Sequence, residues 1–110
     1  RLAGHVRVPL EDGSARAHVV QTGEVVLVDD YGKEERFNKP LEKFYITQTL
    51  LVAPIVNDAK QVMGVIEMTN KIGPSGDIVK FTEVDRTMVE LLCEHCATFI
   101  KMCSADPHNP

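Results

Sequence analysis

No uninterrupted apolar run in this 110-residue chain reaches the roughly 18 residues that a membrane span needs. Positive charge is not in excess either: 12 Lys and Arg against 16 Asp and Glu leave a net charge of −4. A nucleic-acid footprint needs a basic face, so no such partner is expected. Cysteine is scarce, and Cys93, Cys96 and Cys103 lie close together. A secreted disulfide scaffold spreads an even number along the chain, so this pattern points to a reducing, cytoplasmic setting. A signal-peptide pattern is missing and residue 1 is Arg, so the chain reads as a piece of something longer. Repeats and low-complexity tracts are missing too. So are GxSxG, P-loop, HExxH and GxGxxG motifs. Ser75 and Ser104 lie in loops, and the adjacent carboxylates Asp29-Asp30 and Glu34-Glu35 are expected to be solvated. No catalytic residue is expected from these elements.

What is present is enough apolar residue, 44%, to build the core of one domain. His5-Val6-Arg7-Val8 alternates polar and apolar and predicts a strand that Pro9 ends. Ser14 can cap a short helix over residues 15–22, with Gly23 just past its end. Val25 to Val28 reads as a strand and Tyr31 to Asn38 as a loop. Pro40 can open a short helix to about Ile46. Thr49–Val56 and Val62–Thr69 read as a hairpin joined at Asn57-Asp58-Ala59-Lys60. Both strands are apolar at nearly every position, which predicts cover on both faces. Gly73-Pro74-Ser75-Gly76 is a loop. Thr82 and Asp85 make a capping-box-like start to a helix ending near Cys103. Residues 104–110 read as a polar tail and 1–103 as the domain. The fold class is α+β with an antiparallel sheet.

That last helix has two apolar stripes. Val84, Met88, Leu91, His95, Phe99 and Met102 share one face. Val89, Cys93, Cys96, Ile100 and Cys103 share a second, rotated by about 140°. One sheet covers one face, so the cysteine stripe is expected to need another helix or a second subunit. Cys93-Glu94-His95-Cys96 contains a CxxC, but His95 lies on a different side of the helix and no second pair exists. No metal is expected, and the thiols read as structural. Glu67 interrupts an otherwise apolar strand. It either faces a ligand, meets a cation such as Lys71, or points outward near the strand end.

Asn70-Lys71 followed by Phe81-Thr82-Glu83-Val84-Asp85 resembles the signature of GAF domains of the cyclic-nucleotide phosphodiesterase and adenylyl cyclase type. Four of its five residues are present, with Arg86 where a final Glu is expected. Gly13 to Glu24, Asp29-Asp30-Tyr31 to Phe37, and Thr47 to Pro54 with Gly64-Val65-Ile66-Glu67 resemble further segments in the same order. The likeness runs over residues 5–103. It implies an antiparallel sheet with helices on one face and a roofed ligand pocket on the other, the N-terminal helix and first strands being missing. It implies a regulatory module that binds cAMP or cGMP and controls an attached phosphodiesterase or cyclase domain, with no cofactor of its own. Ser14 and Ala15 would face the phosphate. Lys43 and Thr47 would approach purine or ribose, and Glu67 the base or ribose edge. Arg16, where the family has glycine, either fills the phosphate turn or supplies a cation. Asn70, Lys71, Phe81 and Asp85 would be structural, with Lys71 tied to Asp85. The resemblance also implies a homodimer through the C-terminal helix and the missing N-terminal one. The competing reading is a ligand-free structural dimerisation module. A methionine sulfoxide reductase role, known among GAF relatives, would need pocket cysteines, and these lie on the last helix.

Overall fold

The computed structural model describes residues 13–37 and 46–105. The strand expected at 5–8, the helix expected over 40–45, and Lys43 lie outside them, and Ile46 is not helical. Helix α1 spans Ala15–Thr22. Its first turn is capped by Ser14, whose Oγ accepts from the Ala17 amide at 3.1 Å. It ends at Gly23, whose φ of 73° is the left-handed geometry that glycine adopts without strain. Strands β1 (Val26–Val28), β2 (Leu50–Val56) and β3 (Val62–Thr69) form an antiparallel sheet in the order β1-β2-β3. Tyr31–Lys33, expected within a loop, closes into one 3-10 turn.

Pro54 sits in the central strand, where a missing amide would normally cost a ladder bond. The β1 register stops at Val26 opposite Val52, so no β1 bond is asked of Pro54. At the β2–β3 turn, Asn57 Oδ1 accepts from the Ala59 and Gln61 amides, each at 2.9 Å. That side chain replaces the backbone pairing that the turn gives up.

The region read as a plain loop after Asn70 holds a second sheet, a ribbon of β4 (Lys71–Ile72) and β5 (Ile78–Val79). Gly73 is needed there because a Cβ would come within 2.9 Å of Val79 Cγ1. Helix α2 runs Glu83–Ala105, two residues into the stretch read as a tail. Thr82 and Asp85 cap it reciprocally. Asp85 Oδ2 accepts from the Thr82 amide at 2.7 Å, and Thr82 Oγ1 accepts from the Asp85 amide at 3.2 Å.

Alternation along β2 splits the core into two layers. Leu50 and Val52 face Ala15 and Val19 of α1, with Val26, Val28, Tyr31 and Phe37. Leu51 and Ala53 face Phe81 and the Val89 and Cys93 of α2. Each fully buried Leu or Val contributes roughly 1.5–3 kcal/mol. Strand β3 departs from expectation: none of its residues is buried, and Met63 and Met68 are exposed. It pairs only with β2 in the three-stranded sheet, so it is covered less than its composition suggests.

The stripes of α2 are also reversed from expectation. The cysteine stripe, read as needing an outside partner, packs on the sheet with Val89 and Cys93 buried. The Val84, Met88, Leu91, Phe99 and Met102 stripe is the exposed one, joined by Leu92. Periodicity located both stripes, but their similar hydrophobicity did not say which the sheet would take.

Candidate functional site

The α1 side of the sheet is where the candidate ligand residues gather. Glu67 stands opposite Val52 in the β2–β3 register, so it shares the face that carries α1. Its carboxylate is gripped in a bidentate pair by Arg16, Nε to Oε1 at 2.7 Å and Nη2 to Oε2 at 2.9 Å. The cation offered in advance for Glu67 was Lys71, and that is corrected: Lys71 Nζ pairs with Asp85 Oδ2. Arg16 is the second residue of α1, directly after Ala15 and the Ser14 cap. The structure therefore brings Ser14, Ala15, Arg16 and Glu67 to one place, where the first turn of α1 meets β3.

A helix start favours anions because its first amides lack helical acceptors. Ser14 is buried and its oxygen is engaged in the cap. The Arg16 side chain is 50% exposed and that of Glu67 only 25%, so the carboxylate faces inward and the guanidinium lies over it.

Thr47 is buried in a different setting. It lines a groove of about 290 Å³ with Asp29, Asp30, Gly32, Gln48 and Lys80 among others, and neither Arg16 nor Glu67 lines that groove. Asn70 holds the segment carrying Thr47. Its Oδ1 accepts from the Gln48 amide at 2.6 Å and the Thr49 amide at 3.2 Å, and its Nδ2 donates to the Ile46 carbonyl at 2.8 Å. Its φ of 54° is left-handed, a geometry that Asn tolerates better than most residues. Lys71 follows directly, donating its amide to Thr49 Oγ1 and its ammonium to Asp85. Lys71 beside it, with the Thr82 amide next, holds the Asp85 carboxyl below the usual carboxylate range. Phe81 is buried between the sheet and α2. Asn70, Lys71, Phe81 and Asp85 thus connect the Thr47 segment to the start of α2.

Glu34 was expected to be solvated, and the structure corrects this. Arg36 clasps it through Nε and Nη2, and the hydrogen bonds from Arg36 draw its carboxyl down from 4.5 to about 2. The guanidinium also lies over the Phe37 ring at 4.9 Å. The Glu-x-Arg spacing of this staple matches no helical pairing rule, so the sequence reading missed it. Burial, the largest cause, raises the Cys93 thiol, which keeps it protonated and inert. Among the described residues no group of His, Cys, Asp and Glu could hold a metal, and no helix is long and apolar enough to cross a membrane.

The sequence profile of the GAF domain matches residues 2–100. This chain belongs to the GAF family. A Takifugu rubripes protein named dual 3',5'-cyclic-AMP and -GMP phosphodiesterase 11A is 32% identical to this GAF domain over 100 residues, which are 89% of this chain and 11% of that protein. A Drosophila melanogaster dual 3',5'-cyclic-AMP and -GMP phosphodiesterase 11 is 33% identical over 93 residues, 83% of this chain and 6% of that protein. The likeness to these phosphodiesterases is thus confined to a small part of each. Among solved structures, the GAF domain of an Acinetobacter phosphoenolpyruvate-protein phosphotransferase superposes with a TM-score of 0.63 at 24% identity, over 84% of this chain and 50% of that one. A type II free methionine-R-sulfoxide reductase from Thermoplasma acidophilum superposes at 0.60 with 19% identity, over 78% and 55%. These two likenesses speak to the GAF fold alone.

Proposed function

We propose that this GAF domain is a regulatory module that binds a cyclic nucleotide, cAMP or cGMP, and controls a phosphodiesterase or cyclase catalytic domain in the same longer protein. The observation that carries this reading is the meeting of the α1 start with Glu67 on one face of the sheet. A helix start suits a phosphate. A carboxylate on the neighbouring strand suits the N–H edge of a base. In this reading Ser14 and Ala15 face the phosphate, Lys43 and Thr47 approach purine or ribose, and Glu67 takes the base. The resemblance to two proteins named as dual cAMP and cGMP phosphodiesterases supports the ligand class. Ligand held between α1 and β3 would shift the populations of two domain states by its difference in affinity for them. The chain from Thr47 through Asn70 and Lys71 to Asp85 offers α2 as the element that senses it.

Isothermal titration of cAMP and cGMP into the chain tests this. Micromolar binding that falls on Thr47→Ala or Glu67→Ala supports it and identifies the nucleotide. No heat up to millimolar nucleotide, with the protein folded, removes it. A second reading, a ligand-free dimerisation module, is favoured by the exposed apolar face of α2. A folded dimer that takes no nucleotide is its signature.

A further inference from the structure

The Arg16–Glu67 pair bears on which ligands this site accepts, and the inference rests on the cyclic-nucleotide reading above. The guanidinium and carboxylate fill each other's hydrogen-bonding capacity through two short bonds, and together they carry no net charge. Glu67 is the more enclosed partner and sits on the sheet, whereas Arg16 is half exposed and belongs to an eight-residue helix. A ligand that took Glu67 alone would leave a guanidinium unpaired. A ligand that took Arg16 alone would strand a largely enclosed carboxylate, which is costly. Only a ligand that brings an anion for Arg16 and an N–H donor for Glu67 leaves neither group unpaired.

We propose that this site binds by ion-pair exchange: Arg16 leaves Glu67 for the ligand's anionic group while Glu67 accepts from the ligand's N–H edge. Arg16 is then a specificity-determining residue that excludes ligands with only one of the two groups. A nucleoside lacks the anion and inorganic phosphate lacks the donor, so both bind far more weakly than the intact cyclic nucleotide. The exchange also unties the α1 start from β3, so occupancy and the position of α1 become linked.

The test is titration of cAMP, cGMP, adenosine, guanosine and inorganic phosphate into the full chain and into Arg16→Ala, Arg16→Lys, Glu67→Gln and the Arg16→Ala, Glu67→Gln double variant. Thermal melts confirm folding; Arg16 is half exposed, and Arg16→Lys keeps the charge without the fork. The expected result is cyclic-nucleotide binding that weakens about tenfold in Arg16→Ala, with Arg16→Lys in between. Each single change also removes the pair that the ligand must break. The loss in the double variant therefore exceeds the product of the single losses. If the wild type binds cyclic nucleotide and Arg16→Ala binds it equally well or better, exchange is overturned while the sensor reading stands. Binding by Arg16→Ala but not by the wild type makes Arg16 a plug and also overturns exchange. If neither binds either nucleotide, the sensor reading falls and exchange falls with it. Wild-type affinity for adenosine or guanosine equal to that for the cyclic nucleotide overturns the two-group requirement.

Discussion

At the scale of single residues, the firmest positions are side chains that stand in for backbone. Asn70 makes three hydrogen bonds to the segment before β2 while its own φ is 54°. Asn70→Ala loses all three and puts a Cβ in a left-handed position. It is expected to cost about 2–3 kcal/mol in urea unfolding. Asn70→Gly keeps the geometry and should cost about 1 kcal/mol less, which separates bonding from backbone strain. Glu34 gives a pH signature. Its carboxyl titrates at about 2 in the folded chain against 4.5 ordinarily, so it stabilises the fold fully above 4.5 and loses that contribution as pH falls towards 2. Asp85, also held low by Lys71, works in the same direction. Stability measured against pH should fall steeply below pH 4.5. Arg36→Ala should be less stable at neutral pH and show a shallower fall in that window.

At the scale of elements, the packing of Phe81 decides whether α2 stays seated. Phe81→Ala opens a hole between Leu51, Ala53, Val89 and Cys93 and is expected to cost about 3–4 kcal/mol. Thr82→Ala removes only a cap and should cost about 1 kcal/mol. The same region shows what sequence can and cannot convey. Helix α1 is legible because Ser14 and Gly23 are chemical end-marks, and β3 because branched residues run unbroken between turn residues. The hairpin after Asn70 is not legible, because two-residue strands have no measurable periodicity. Nor is the seating of α2, since Val89 and Cys93 look no more apolar than Met88 and Phe99. The candidate site was legible only in pieces. Ser14, Arg16 and Glu67 could each be singled out. However, the bond joining Arg16 to Glu67 spans 51 residues, and local pattern carries no information about such a pairing.

At the scale of the whole molecule, the exposed stripe of α2 is the surface without cover among the described residues. Phe99 and Met102 are each 67% exposed, and Met88 and Leu91 more than half. A contiguous face of this kind favours self-association. Light scattering after size exclusion should show a dimer whose dissociation constant rises at least tenfold in Phe99→Glu, with the melting temperature nearly unchanged because the side chain lies outside the core. A monomer at high micromolar concentration in the wild type would remove the dimer reading.

The hold on α2 is uneven along its length. Its start is secured by Lys71 and the Thr82–Asp85 cap, and its middle by Val89 and Cys93. Near its far end, some 16 residues or about 24 Å from Asp85, Lys101 reaches across to Asp58 in the β2–β3 turn at 2.6 Å, with both side chains open to solvent. Added salt screens open pairs far more than enclosed ones. The helix is therefore a lever with a fixed fulcrum and a salt-soluble tether. Raising ionic strength frees its outgoing tip while leaving the seat intact.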